Sequence, residues 1–286
     1  MHNCGLVLEG GGMKGLYTAG VLEYFLEKGI FFNYVIGVSA GACMGASYLS
    51  RQKGRNKKVN IGLVKDPRYL SWRNFILKRE LFGMDFLFDK VPNHIVPFDF
   101  TALDNSQEDF LVGTMDCQTG EALYYNKKRH GKDILKIIRA SSSLPLIAQP
   151  VEYNGKVLLD GGLADPLPVK KAYEDGSRKN VVIMTKAVDD CTRPRRTSAF
   201  MRLMYRKYPA VADSLEKRVI TYNEALAFIE AEQEKDNVYV IRPSVDLPVS
   251  SFERNQKRLL RLYELGYQDA HTHSRELSFW LEKGMV

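Results

Sequence analysis

The chain has 286 residues, 45% of them hydrophobic and 26% charged. That is a globular composition with enough apolar material for one elaborated α/β domain, and it excludes a disordered or fibrous chain. A formal charge of +7 favours anionic partners, whether nucleic acid, an anionic membrane surface or a phosphorylated substrate, without choosing among them.

No apolar run approaches the roughly 18 residues of a spanning helix. The N-terminus shows no basic segment followed by an apolar one, so no secretory signal is expected. A cytoplasmic location follows as the expectation, with membrane contact, if any, peripheral. Cys4, Cys43, Cys117 and Cys191 form no Cys-x-x-Cys pair and are expected as reduced thiols.

Leu6 to Glu9 reads as a buried strand that runs into the glycines from Gly10 to Gly15. Leu16 to Lys28 carries Val21, Leu22, Phe25 and Leu26 at helical spacing, with Gly29 as its stop. Tyr34 to Val38 is a second strand, followed at once by a small-residue helix from Ala40 to about Leu49. This strand–turn–helix repeat predicts an α/β fold around a mostly parallel sheet.

Arg51 to about Asp104 is irregular, opening with basic residues and continuing through the aromatics Trp72, Phe75, Phe82, Phe86 and Phe88. Strands are expected at Phe110 to Met115, Leu123 to Tyr125, Val181 to Thr185 and Val238 to Arg242, and a helix at Asp133 to Ser141. Val151 to Tyr153 and Val157 to Leu159 flank Asn154-Gly155, a two-residue hairpin signal. Phe252 to Leu281 reads as a long amphipathic helix within a helical C-terminal elaboration from about residue 198. With no repeat and no linker, one domain over residues 1–286 is the expectation.

Three short motifs carry chemistry. In Gly37-Val38-Ser39-Ala40-Gly41 a serine sits between an apolar strand and a helix of small residues. A sharp turn there needs small neighbours and lifts the hydroxyl to a helix N-terminus, where developing negative charge is favoured. Gly10-Gly11-Gly12-Met13-Lys14-Gly15 can aim several backbone N–H groups at one point, as an anion cradle or an oxyanion hole. The glycine spacing also fits a dinucleotide fingerprint, but the acidic residue that this requires about 20 positions on is missing from Ile30 to Tyr34. A phosphate loop fails too, because Leu16 follows Gly15. Asp160-Gly161-Gly162, at a strand end, supplies a carboxylate that can serve the serine as base.

These three motifs, in this order, resemble the patatin-like phospholipase family over the chain from its first strand to about Pro168. Ala140 to Pro145 is similar to the small-residue segment ahead of that family's catalytic aspartate. The resemblance implies a three-layer α/β/α fold and a Ser39–Asp160 dyad acting on lipid acyl esters. It also implies no metal and no cofactor at the active centre.

Two alternatives stay open. One is a conventional Ser-Asp-His esterase using His271 or His273, which follow Asp160 but lie inside a helical pattern. The other is a catalytically silent lipid- or membrane-binding protein. Arg51 to Lys58, Lys127 to Lys132 and Arg193 to Arg206 either attract anionic headgroups or are solvated loops. Likewise, Lys14 either meets a substrate phosphate or faces water. No nucleic-acid module accompanies the charge, and the oligomeric state is not legible.

Overall fold

A computed structural model describes residues 1–187 and 199–283. Eight strands form one sheet: β1 (His2–Leu8), β2 (Phe32–Val38), β3 (Asp109–Asp116), β4 (Ala122–Asn126), β5 (Val151–Tyr153), β6 (Lys156–Asp160), β7 (Asn180–Ile183) and β8 (Val238–Ile241). Their order is β5-β6-β3-β2-β1-β7-β8, with β4 paired to β3. The run from β3 to β8 is parallel, while β4, β5 and β6 join in antiparallel sense.

The strands read as continuous apolar runs because the sheet is covered on both faces. Leu6 and Leu8 of β1 and Phe110 and Val112 of β3 enter one core cluster. Val7 and Leu111, between them, enter another. Against the first face pack α1 (Leu16–Lys28), α2 (Ala40–Leu49), α4 (Ile134–Ser141) and α7 (Gln256–Glu282); α3 (Trp72–Lys78) lies outside, with no buried residue. Against the second pack α5 (Val169–Glu174) and α6 (Pro209–Glu234). This is the expected three-layer α/β/α arrangement.

Local signals account for several boundaries. Helix α1 ends at Gly29 in the left-handed conformation, and the Asn154-Gly155 turn has φ of 48° and 74°. The first strand starts four residues earlier than expected, because His2 still pairs with Phe32. Helix α7 starts at Gln256 rather than Phe252, with the Asn255 side chain accepting from the N–H groups of Lys257 and Arg258.

One register positions the site. Strand β2 pairs with β3 as far as Val38 opposite Gly113. Strand β6 takes over at the next residue, with Asp160 opposite Thr114. The end of β2 and the end of β6 therefore meet on one edge of β3, which brings Ser39 beside Asp160.

Candidate active site

Ser39 occupies the turn between β2 and α2 with φ 54° and ψ −122°, a conformation that few residues other than glycine adopt. The turn is tight enough that a Cβ on Gly41 would lie 2.4 Å from the Leu8 carbonyl, and one on Gly37 2.8 Å from the Ala42 nitrogen. The Ser39 N–H donates to Ser141 Oγ at 2.7 Å, and that hydroxyl donates to the Gly113 carbonyl at 2.6 Å. Buried Ser141 thus fixes the strained turn to β3.

The Ser39 hydroxyl donates to Asp160 Oδ2 at 2.7 Å, and the other carboxylate oxygen accepts the Gly162 N–H at 2.7 Å. Both residues are buried. Desolvation raises the Asp160 pKa to about 6, against the lowering effect of the Ser39 and Gly162 hydrogen bonds and of the Arg218 charge. Gly161 passes directly over the Gly113 carbonyl, which a Cβ would approach to 2.3 Å.

The glycine loop runs beside the serine, since a Cβ on Gly10 would lie 3.2 Å from Ser39 Cβ. Gly12 has φ +58°. The N–H groups of Gly11 and Gly12 donate to no acceptor among the described residues. The Met13 N–H, expected beside them, is instead taken by the Ser251 carbonyl at 3.1 Å. Gly15 abuts Ala40, whose Cβ would lie 2.7 Å from a Cβ there, and Lys14 lines the polar side of the site. Glu9 anchors the loop from below: its carboxylate accepts Thr185 Oγ1 at 2.9 Å, and burial raises its pKa.

Two cavities meet at Ser39, Gly12 and Leu144. One, about 960 Å³ with its open mouth, is walled by side chains such as Met44, Phe82, Leu87, Phe88, Val91 and Ile138. The other carries polar groups: Asp160, Lys14, Lys186 and Arg218. A buried serine–carboxylate pair beside free backbone donors has the parts needed for nucleophilic acyl transfer. Among the described residues no three His, Cys, Asp or Glu side chains converge on a point that could hold a metal ion.

The histidines have other partners. His271 packs edge-on against Tyr24 of α1, and His273 Nδ1 is 2.7 Å from the Tyr239 hydroxyl. The basic stretch after α2 is mostly exposed, yet several of its cations have partners. Arg51 pairs with buried Glu108 and stacks on Phe31, and Lys57 lies over Tyr263. Lys127 is buried against the Leu103 and Ser106 carbonyls. Lys127 is thereby withdrawn from any headgroup, whereas Arg51, Lys53, Lys57 and Lys58 remain exposed, as do Lys128, Arg129 and Lys132. Cys4, Cys43 and Cys117 are free thiols; Cys191 and residues 193–198 of the last basic cluster lie outside the described residues.

The aromatic stretch divides: Trp72 is exposed, Phe86 is buried, and Phe82 and Phe88 wall the apolar cavity. Sequence reasoning missed Arg218 on α6, whose guanidinium lies 3.8 Å from the position of a Cβ on Gly162. A lone arginine inside a long polar helix carries no signal of what the tertiary fold sets beside it.

A model of the patatin-like phospholipase family matches residues 6–173, and a model of a domain of unknown function (DUF6363) matches residues 208–282. The chain is 26% identical over 267 residues to the uncharacterized protein YjjU of Escherichia coli (strain K12), covering 91% of this chain and 74% of that protein. It is 27% identical over 259 residues to the lysophospholipase NTE1 of Candida albicans, with 85% of this chain matched but only 18% of that protein. Among solved structures, VipD from Legionella pneumophila covers 99% of this chain, and the chain covers 67% of it, at 14% identity and a TM-score of 0.48. With the family model matched over more than half of its length, the chain belongs to the patatin-like phospholipase family.

Proposed function

We propose that the chain is a serine acyl hydrolase that cleaves the carboxylic ester of a phospholipid or lysophospholipid through Ser39 and Asp160. The observation that carries this is the 2.7 Å contact of Ser39 Oγ with buried Asp160 where an apolar and a polar cavity meet. An amphipathic ester laid across that junction puts its acyl chain in the first cavity and its headgroup in the second.

Asp160 takes the Ser39 proton as Oγ attacks the ester carbonyl. The N–H groups of Gly11 and Gly12 hold the oxyanion, and such a donor contributes about 3 kcal/mol to lowering a barrier of this kind. The tetrahedral intermediate collapses, the ester C–O bond breaks, and the alcohol leaves with the proton that Asp160 carried. Water then attacks the acyl-enzyme, giving its proton to Asp160, and the acid departs as Ser39 recovers its hydrogen. One continuous cavity with mostly apolar walls suits a substrate with a single buried chain, in keeping with the name lysophospholipase borne by the fungal relatives.

Exposed apolar side chains lie on the segments that lead to the cavities: Trp72, Ile76 and Leu77 on α3, ahead of Phe82; Phe200 and Leu203 on the short helix Ala199–Met204, which also carries Met201; and Phe252. Phe252 packs on Phe82 and lines the polar cavity, as does Met201. These side chains, on a chain of formal charge +7, support peripheral contact with an anionic membrane. No helix among the described residues is long and apolar enough to cross one.

The test is labelling with a fluorophosphonate probe together with hydrolysis of p-nitrophenyl esters. The wild type is expected to label and turn over, Ser39→Ala to do neither, and His271→Ala and His273→Ala to retain both. An unlabelled, inactive wild type would leave a silent lipid-binding protein as the better account. A loss in either histidine variant as large as that in Ser39→Ala, with the fold intact, would move the base to histidine.

A further inference from the structure

The cavity beside Ser39 is not apolar to its end. It opens at Ser39 and Ala40, follows α2 past Cys43, Met44 and Ala46, and reaches Arg55 and Asn56. The Arg55 guanidinium stacks on Phe98 at 4.8 Å, donates to Ser47 Oγ at 3.3 Å and donates to the Val96 carbonyl at 3.2 Å. Its Nε is buried with no hydrogen-bond partner among the described residues. Arg51, one turn earlier in the chain, has the carboxylate of Glu108; Arg55 has no carboxylate partner among the described residues. Burial lowers its pKa to about 10.

A cation taken out of water without a counter-charge is costly, and proteins pair such groups or use them. The two contacts that Arg55 does make are long and go to neutral oxygens. Arg55 lines a cavity that begins at the nucleophile, and each of its terminal nitrogens, having given one N–H to a protein oxygen, keeps a second. A ligand atom can take these, and a guanidinium selects a planar anion that accepts two hydrogen bonds.

We infer that Arg55 closes the acyl cavity as a recognition site for a carboxylate at the far end of the acyl chain. The preferred acyl group is then a medium-length, ω-carboxylated one. Helix α2 sets the length. Ser47, which Arg55 contacts, lies eight residues beyond Ser39. That is about 12 Å along a helix at 1.5 Å per residue. An extended chain of single bonds advances roughly 1.2 Å per bond, so about ten bonds separate the ester carbonyl from the terminal carboxylate.

This inference rests on Ser39 being the nucleophile, so turnover and binding are measured separately. For turnover, the p-nitrophenyl monoester of decanedioic acid is compared with p-nitrophenyl decanoate. The wild type is expected to show a kcat/KM ratio above about 10 in favour of the carboxylated ester, each factor of ten being about 1.4 kcal/mol. The ratio falls below one in Arg55→Met and stays above one in Arg55→Lys, which keeps the charge if the methionine variant folds poorly. The hexanedioic monoester, too short to reach Arg55, shows no such preference over hexanoate.

For binding, Ser39→Ala is titrated calorimetrically with monomethyl decanedioate and with methyl decanoate. The carboxylated ligand should bind at least about tenfold more tightly, and adding Arg55→Met should erase the difference. A wild type that prefers decanoate, or a ratio unmoved by Arg55→Met, overturns the assignment, as does equal binding of the two ligands. No turnover of any ester with the binding preference intact would instead sink the hydrolase reading and leave the carboxylate site standing.

Discussion

A carboxylate in water is a poor base for a serine hydroxyl, and burial fits Asp160 better to the role proposed for it. Desolvation raises its pKa from 3.8 to about 6, nearer the range where a base works well at neutral pH. The base must be ionised, so kcat/KM for an uncharged ester should climb with pH and reach half its plateau near 6. The same shift acts on stability with the opposite sign. A carboxyl whose pKa is higher folded than unfolded loses stabilisation as pH rises through that interval, here by about 3 kcal/mol between pH 3.8 and neutrality. Asp160→Asn cannot ionise and escapes this cost. It is expected to be inactive yet to melt several degrees above the wild type at pH 8, with the gap closing towards pH 4. Melting curves at the two pH values check this, and an equal or lower Tm at pH 8 would mean that the carboxylate is better satisfied than its burial indicates. Ser39 and Asp160 were legible in the sequence because each sits in a short motif fixed by local geometry. Ser141 falls in the Ala140 to Pro145 segment that the family resemblance marks, whereas Glu9 and Arg218 reach the site through tertiary contacts, and their identities alone do not announce them.

Elements were legible where a local rule marks them. Strand β2 ends in a glycine-flanked serine, α1 stops at a left-handed Gly29, and β5 and β6 turn on Asn154-Gly155. Helix α6 was not separated from its surroundings, because its buried face includes Ala212, Ser214 and Ala225 and gives a weak apolar period. The cores of α1 and α7 hide a relation that periodicity does not show. They cross so closely that a Cβ on Gly20 would lie 2.0 Å from the Tyr263 carbonyl, and one on Gly266 2.1 Å from the Tyr17 carbonyl. The Tyr17 hydroxyl donates to Asp269 at 2.9 Å across the same crossing. The family match ends at residue 173, yet α7, from beyond residue 250, packs on the first helix of the chain. Gly266→Val should therefore force the helices apart and destabilise the whole protein by at least about 2 kcal/mol, as overpacking does. Urea unfolding followed by tryptophan fluorescence and by circular dichroism should give one shifted transition by both probes. An early transition confined to the C-terminal helices would show that residues 208–282 fold as a separate unit.

At the scale of the whole molecule, the surface carries large exposed apolar side chains on a segment that leads to the site. Helix α3 buries none of its side chains and exposes Trp72 by 71%, Ile76 by 78% and Leu77 by 69%. These residues lie between Leu70 and Phe82, which form a bridge, and Phe82 both walls the apolar cavity and packs on Phe252. Under the proposed function, large apolar groups held in water near a lipid entrance would lose that cost when the entrance meets a bilayer. Arg73, Lys78 and Arg79 on the same segment favour an anionic one. Replacing Trp72 and Ile76 together by serine should weaken binding to vesicles of mixed neutral and anionic phospholipid by about tenfold, equivalent to about 1.4 kcal/mol. The ratio of turnover on vesicle lipid to turnover on a soluble ester should fall by a similar factor. Co-sedimentation measures the first and paired assays the second. A purely electrostatic attachment would behave differently: high salt would release the protein, and the serine variants would bind as well as the wild type. If that is the outcome, the apolar side chains have no part in docking, and charge alone brings the site to the bilayer.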